Sequence, residues 1–107
     1  MFFSCSKTGN GTLIKGKLVY SSCATAVIQI MEPAHFDLGQ ATWQQSPQLP
    51  VYTNVFAVDN LCSYRAGNTI NVGDQFYFRV TNAGDTDCAV CMLWDNPPMK
   101  KQKVYVP

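Results

Sequence analysis

Period-two alternation of apolar and polar residues is the feature of this 107-residue sequence that most restricts its fold. It is clearest over residues 75–82, where Phe76, Phe78 and Val80 alternate with Gln, Tyr and Arg side chains. Such alternation places one set of side chains on each face of a half-buried strand. Helix signals are nearly absent, and residues 60–71 allow one helical turn at most. We therefore expect an all-β fold.

The same alternation predicts several short strands. In the first of them Ile14, Leu18 and Tyr20 share one face, and Gly16 on that face indicates a bend, a bulge or a close backbone approach. Six short strands fit a small Greek-key barrel of the OB type, and a two-sheet β-sandwich is the alternative. The predicted strands are 12–21, 25–31, 52–58, 75–82, 88–94 and 102–106.

Residues 32–50 interrupt this pattern. They contain three prolines, Gly39 and a run rich in Gln and Ser, so we expect a long loop. A loop of this length in a small domain is uncommon unless it carries function or is disordered. Trp43 is the best candidate anchor of such a binding loop, and the competing interpretation is a structural cap on one end of the barrel.

Five cysteines and a low charge content favour an exported protein over a cytosolic one. Charged residues make up 14% of the chain, well below the roughly 25% that is usual. We expect two disulfides among Cys23, Cys62, Cys88 and Cys91, and sequence cannot choose among the three possible pairings. Buried free thiols in a cytosolic protein are the alternative. A redox or zinc role for the Cys88–Cys91 spacing lacks both a predicted helix and a second motif.

The N-terminal residues carry a resemblance to a known family. The stretch Phe2-Phe3-Ser4-Cys5 resembles the end of a bacterial lipoprotein signal, although that pattern prefers Leu three places before the cysteine. The spread of cysteines and the stretches VGDQFYFRV and DNPP are also similar to small β domains of exported bacterial lipoproteins. The resemblance implies a lipid anchor at Cys5, a flexible tether over 1–11 and one β domain over 12–107. The alternative is that the two phenylalanines begin a first strand.

Two clusters of polar residues could in principle carry chemistry. Glu32, His35 and Asp37 lie close together, as a metal site or an acid–base pair would require, but loop spacing imposes no geometry. Asn82, Asp85 and Asp87 form a loose set of oxygen donors, for which a hairpin turn is the simpler explanation. The chain has no G-x-S-x-G motif and a single histidine. We expect no catalytic residues, no metal and no cofactor.

Binding is the remaining class of function. Aromatic residues interleave with Lys15, Lys17 and Arg79, a pattern that could stack bases or sugars on an OB-type face. We interpret Lys100, Lys101 and Lys103 as charges on an edge strand that prevent its pairing with the edge of another sheet. The candidate ligand contacts are Trp43, Tyr52, Tyr64 and Tyr77.

Charge and hydropathy restrict the partners and the compartment. The net charge of +1 provides no overall positive field that would attract nucleic acid. A nucleic-acid-binding OB domain is therefore only the second hypothesis. No stretch is long and apolar enough to cross a membrane, so attachment would be through a lipid. The sequence thus predicts a non-catalytic binding or structural module of the cell envelope or periplasm, which contacts an envelope protein or a glycan.

Overall fold

The alternating segments of the sequence form strands of a single sheet. The structure, a computed structural model, describes residues 12–82, 84–85, 88, 91 and 93–107. A 3-10 helix spans Pro33–Leu38, and a short α-helix, α1, spans Leu61–Ala66. No helix in this described part of the chain is long and apolar enough to cross a membrane. The strands are β1 Ile14–Ser21, β2 Ala26–Ile30, β3 Gln40–Gln44, β4 Val51–Val58, β5 Gln75–Val80, β6 Lys101–Gln102 and β7 Val104–Tyr105.

Six of the strands follow one another across the sheet in the order β3-β4-β2-β1-β5-β7, and neighbours on this path are antiparallel. The short strand β6 lies off this path and pairs in parallel with β4. The sheet curls into a half-barrel. The predicted all-β class and barrel-like form are therefore confirmed.

The main hydrophobic core lies on the concave side of the curl. Phe56 and Phe78 meet edge to face there with ring centroids 5.6 Å apart, and neither ring is accessible to solvent. Gly16 faces the same core, where a Cβ atom would lie 2.8 Å from both Ile28 and Phe78. Of the three alternatives predicted at this glycine, the structure shows the close backbone approach. The buried members of the core are Ile14, Leu18, Ala26, Ile28, Ile30, Phe56, Val58, Leu61, Tyr64, Phe78 and Val104.

A second cluster is buried on the opposite face of the sheet. Val19, Val27, Trp43 and Val55 form it, and Tyr20 packs against it. The prediction that Tyr20 shares a face with Leu18 is wrong, because the pairing of β1 with β2 shifts register between these two residues. A β-bulge adds one residue to one strand and turns the following side chains to the other face.

The prediction of a loop over 32–50 is also wrong. Its first part forms the 3-10 helix, and Gln40–Gln44 forms β3, an edge strand paired with β4. Only Trp43 of this strand is buried, and its neighbours are polar. The strand therefore lacks the apolar alternation by which sequence analysis recognises strands, and its pairing partner determines its conformation.

The strand predicted over 88–94 is not observed in the residues of it that the structure describes. Cys88, Cys91, Leu93 and Trp94 have no strand conformation. Of the apolar side chains that suggested a core strand, Leu93 is 51% exposed and Trp94 is 78% exposed. The residues predicted as the N-terminal tether, and Cys5 with them, lie outside the described part.

Candidate functional site

The convex face of strands β1, β5 and β7 carries cationic and aromatic side chains side by side. The register pairs Lys15 with Tyr77, and Arg79 with Tyr105. Directly opposed residues of antiparallel strands share a face, with Cβ atoms about 4.5–5.5 Å apart. Lys17 lies on the same face, opposite Gln75 on one side and Gln29 on the other. We call this set of seven residues the basic face.

The aromatic rings of the basic face are accessible. Tyr77 is 52% exposed and Tyr105 is 50% exposed, and the guanidinium of Arg79 lies 4.7 Å from the centroid of the Tyr105 ring. A cation over an aromatic face is attracted by the ring quadrupole, so this contact favours the two side chains lying together. The face therefore offers exposed rings beside positive charge.

Two carboxylates near the edge of the basic face accept hydrogen bonds from the backbone. Glu32 accepts a hydrogen bond from the Lys15 backbone N–H at 2.7 Å, and Asp74 accepts one from the Asn71 backbone N–H at 3.0 Å. Within the described ranges no carboxylate forms an ion pair with Lys15, Lys17 or Arg79. The three cations are therefore not held in ion pairs by the described carboxylates.

Residues 93–99, which we call the Trp94 loop, form a second exposed feature. Asp95 anchors the loop, because its buried carboxylate accepts hydrogen bonds from the hydroxyls of Tyr20 at 2.9 Å, Thr25 at 2.6 Å and Ser22. Burial by itself would raise the pKa of Asp95, but these hydrogen bonds lower it below its ordinary value. The charged form of Asp95 is therefore the form that the fold stabilises.

Disulfides hold the chain on the N-terminal side of the Trp94 loop. Cys91 is bonded to Cys23, and Cys88 is bonded to Cys62 on helix α1. The two predicted disulfides are therefore present, and the structure selects one of the three pairings. Arg65 of α1 adds hydrogen bonds to the backbone carbonyls of Ser22 and Thr25, beside Cys23.

Trp43 packs against the Trp94 loop and forms a hydrogen bond with it. Its indole N–H donates to the carbonyl of Asn96 at 2.8 Å, and its ring lies 6.3 Å from that of Tyr52 in a stacked arrangement. Trp43 is only 5% exposed. Because the loop is fixed at Asp95 and Asn96, the exposed ring of Trp94 is presented from a rigid support.

The structure separates the four predicted ligand contacts. Tyr77 lies on the basic face, Tyr52 is half-buried against Trp43, and Trp43 and Tyr64 are buried. The Tyr64 hydroxyl has no hydrogen-bond partner among the described residues, and burial raises its pKa to about 12. Tyr64 lines a cavity of about 270 Å³ together with Asn60, Asn68 and residues of β7, but its hydroxyl oxygen is inaccessible to solvent.

Sequence analysis missed Tyr105 and Trp94 as accessible aromatics. Tyr105 belongs to a two-residue strand, too short for alternation to reveal its outward face. Trp94 follows an apolar run that was interpreted as a strand. The one signal that could have drawn attention to Trp94 is the Asn96-Pro97-Pro98 stretch, because a proline cannot donate a hydrogen bond to a neighbouring strand and so argues against a strand that continues through it.

The described members of the two acidic clusters are engaged in hydrogen bonds or lie apart from other candidate metal ligands. Among the described residues no group of three His, Cys, Asp or Glu side chains could hold a metal ion. Glu32 binds a backbone N–H, as above, and Asp85 accepts a hydrogen bond from the Ser63 backbone N–H at 2.8 Å. Asp87, the third residue of the second cluster, lies outside the described part.

Comparison with known proteins adds no relative. No protein-family model, no curated protein and no solved structure matches the chain significantly.

Proposed function

We propose that the protein is a non-catalytic binding module of the cell envelope, either secreted or anchored by a lipid at Cys5. The observation that carries this proposal is the Trp94 loop, in which a tryptophan that is 78% exposed stands on a support fixed by buried hydrogen bonds. Tryptophan supplies large contact area with few rotamers to immobilise, and it is enriched among the residues that dominate binding energy.

The disulfides support the location. Disulfides persist in oxidising, extracytoplasmic compartments and are rare in the cytosol. A domain of this size buries a modest core, so covalent cross-links are a common supplement to its stability. Anchorage at Cys5 rests on the Phe2-Phe3-Ser4-Cys5 motif alone, and the mass of the N-terminal peptide from membrane-associated protein would show whether a diacylglycerol group is attached.

Co-sedimentation with isolated cell envelopes tests the proposal. We expect the wild-type protein to sediment with envelopes and Trp94→Ala to remain mostly in the supernatant. Val72→Ala is the matched control, because Val72 is an exposed apolar residue, 58% accessible, that lies outside the Trp94 loop. Equal retention of all three proteins would contradict a binding role for Trp94, and no sedimentation of the wild type would contradict envelope binding itself.

Thermal unfolding of the three proteins tests whether Trp94→Ala fails to sediment only because the variant is unfolded. Trp94 is largely exposed, so its replacement removes little buried area and should leave the melting temperature nearly unchanged. A loss of sedimentation without a loss of stability would assign Trp94 to binding.

A further inference from the structure

We propose that the basic face binds an acidic polysaccharide. This surface is distinct from the Trp94 loop, and the proposal rests on the proposed function only for the extracytoplasmic setting. The face combines three features that suit such a ligand: cations outside ion pairs with described residues, exposed aromatic rings and amide side chains. They occur on neighbouring strands of one sheet, so the sheet holds them in fixed relative positions.

The charge arrangement fits a carboxylate-bearing chain. Lys15 and Lys17 are two residues apart on β1, which separates them by about 7 Å along the strand. Arg79 lies on the adjacent strand, and its guanidinium can pair with a carboxylate through two parallel hydrogen bonds. The net charge of the whole chain is only +1, so this concentration of cations is local.

The aromatic rings fit the sugar part of the ligand. The C–H face of a pyranose ring is apolar, and it packs on the flat side of an aromatic ring. Tyr77 and Tyr105 each expose about half of their surface on the basic face. Gln29 and Gln75 lie beside Lys17, and an amide side chain offers both donors and an acceptor to sugar hydroxyls.

A single-stranded nucleic acid would also find cations and stacking rings on this face. Two observations favour the polysaccharide. The two disulfides indicate an oxidising compartment, where nucleic acid is not the usual polyanion. The remainder of the surface supplies no excess of positive charge, whereas nucleic-acid-binding domains are generally basic overall.

Calorimetric titration at low ionic strength tests the inference with three probes: polygalacturonate, neutral dextran and oligo(dT). We expect polygalacturonate to bind and dextran not to bind. Binding of polygalacturonate should weaken as salt is added, because the contact is between opposite charges. Tighter binding of oligo(dT) at equal charge concentration would overturn the proposal in favour of nucleic acid, and no binding of polygalacturonate would overturn it outright.

Charge variants locate the site. The double variant Lys15→Gln/Lys17→Gln should weaken polygalacturonate binding by about tenfold. Lys100→Gln/Lys101→Gln is the matched control, since both lysines are exposed and β6 pairs with β4, away from the basic face. The control should bind as the wild type does. Equal losses of affinity in the two double variants would show that polygalacturonate is attracted non-specifically. They would overturn the assignment of binding to the basic face.

Ring variants separate stacking from charge. Tyr77→Ala should weaken binding of polygalacturonate, whereas Tyr77→Phe keeps the ring and should retain binding. Equal behaviour of the two variants would contradict a stacking role. Failure of this inference leaves the proposed function intact, because envelope binding is tested through Trp94 and its loop, and the lysine and tyrosine variants do not alter that loop.

Discussion

At the scale of single residues, neighbours in the sequence occupy opposite environments. Phe78 is fully buried in the concave core and Tyr77 is 52% exposed on the basic face. We expect Phe78→Ala to lower the free energy of unfolding by about 3–5 kcal/mol, through lost burial and the cavity that remains. Tyr77→Ala should cost clearly less. Urea denaturation of both variants measures the difference, and equal losses would mean that β5 is buried on both faces.

Asp95 carries a prediction about pH. Its pKa is lowered in the folded protein, so the stability it contributes is fully present above the ordinary value of 3.8 and is lost as the pH falls through the lower folded value. Asp95→Asn removes this contribution, and hydrogen bonds to a charged group are worth about 1.5–3 kcal/mol. We expect Asp95→Asn to be less stable than the wild type at pH 7.

The difference between these two proteins should shrink as the pH falls below 3.8, since the carboxylate of the unfolded chain is protonated first and that of the folded protein at a lower pH. Denaturant unfolding at pH 7, 5, 3 and 2 measures it. A difference that stays constant over this range would show that the charge of Asp95 does not contribute to stability.

At the scale of elements, β3 carries Trp43, a candidate ligand contact that the structure places in the interior of the fold. Trp43 is its single buried residue, and the indole contacts both Tyr20 and the Trp94 loop. We expect Trp43→Ala to cost about 3–5 kcal/mol, as loss of a buried aromatic generally does. Thermal unfolding measures the loss. An unchanged melting temperature would show that Trp43 does not stabilise the fold, and Trp43 would again be a candidate binding residue.

At the scale of the whole molecule, two disulfides connect distant parts of the chain. Cys23 and Cys91 are separated by 68 residues, and Cys62 and Cys88 by 26. In the chain-entropy model these loops contribute about 4.4 and 3.5 kcal/mol respectively. We expect Cys23→Ser/Cys91→Ser to lose more stability than Cys62→Ser/Cys88→Ser in urea denaturation. The reverse order would show that local packing outweighs loop length.

Thiol titration tests the bonds directly. Denatured, unreduced protein should show at most one free thiol, that of Cys5. Four or five free thiols would contradict the disulfides and, with them, the extracytoplasmic location.

Part of the candidate site could be predicted from the sequence. Alternation predicted that Tyr77 and Arg79 point away from Phe78, and Lys15 and Lys17 away from Ile14. That these two outward sets lie side by side follows from the pairing of β1 with β5, which joins segments about 60 residues apart. No local pattern encodes such a pairing.

The sequence by itself determined the all-β class, four of the strands to within two residues, an irregular or close-packed backbone at Gly16 and the number of disulfides. These properties depend on local alternation, on the missing side chain of glycine and on a count of cysteines. Only the tertiary structure decided that Gln40–Gln44 is a strand, that Trp43 is buried while Trp94 is exposed, and which cysteines pair. Each of these depends on contacts between residues far apart in the chain, whose free energy outweighs local preference.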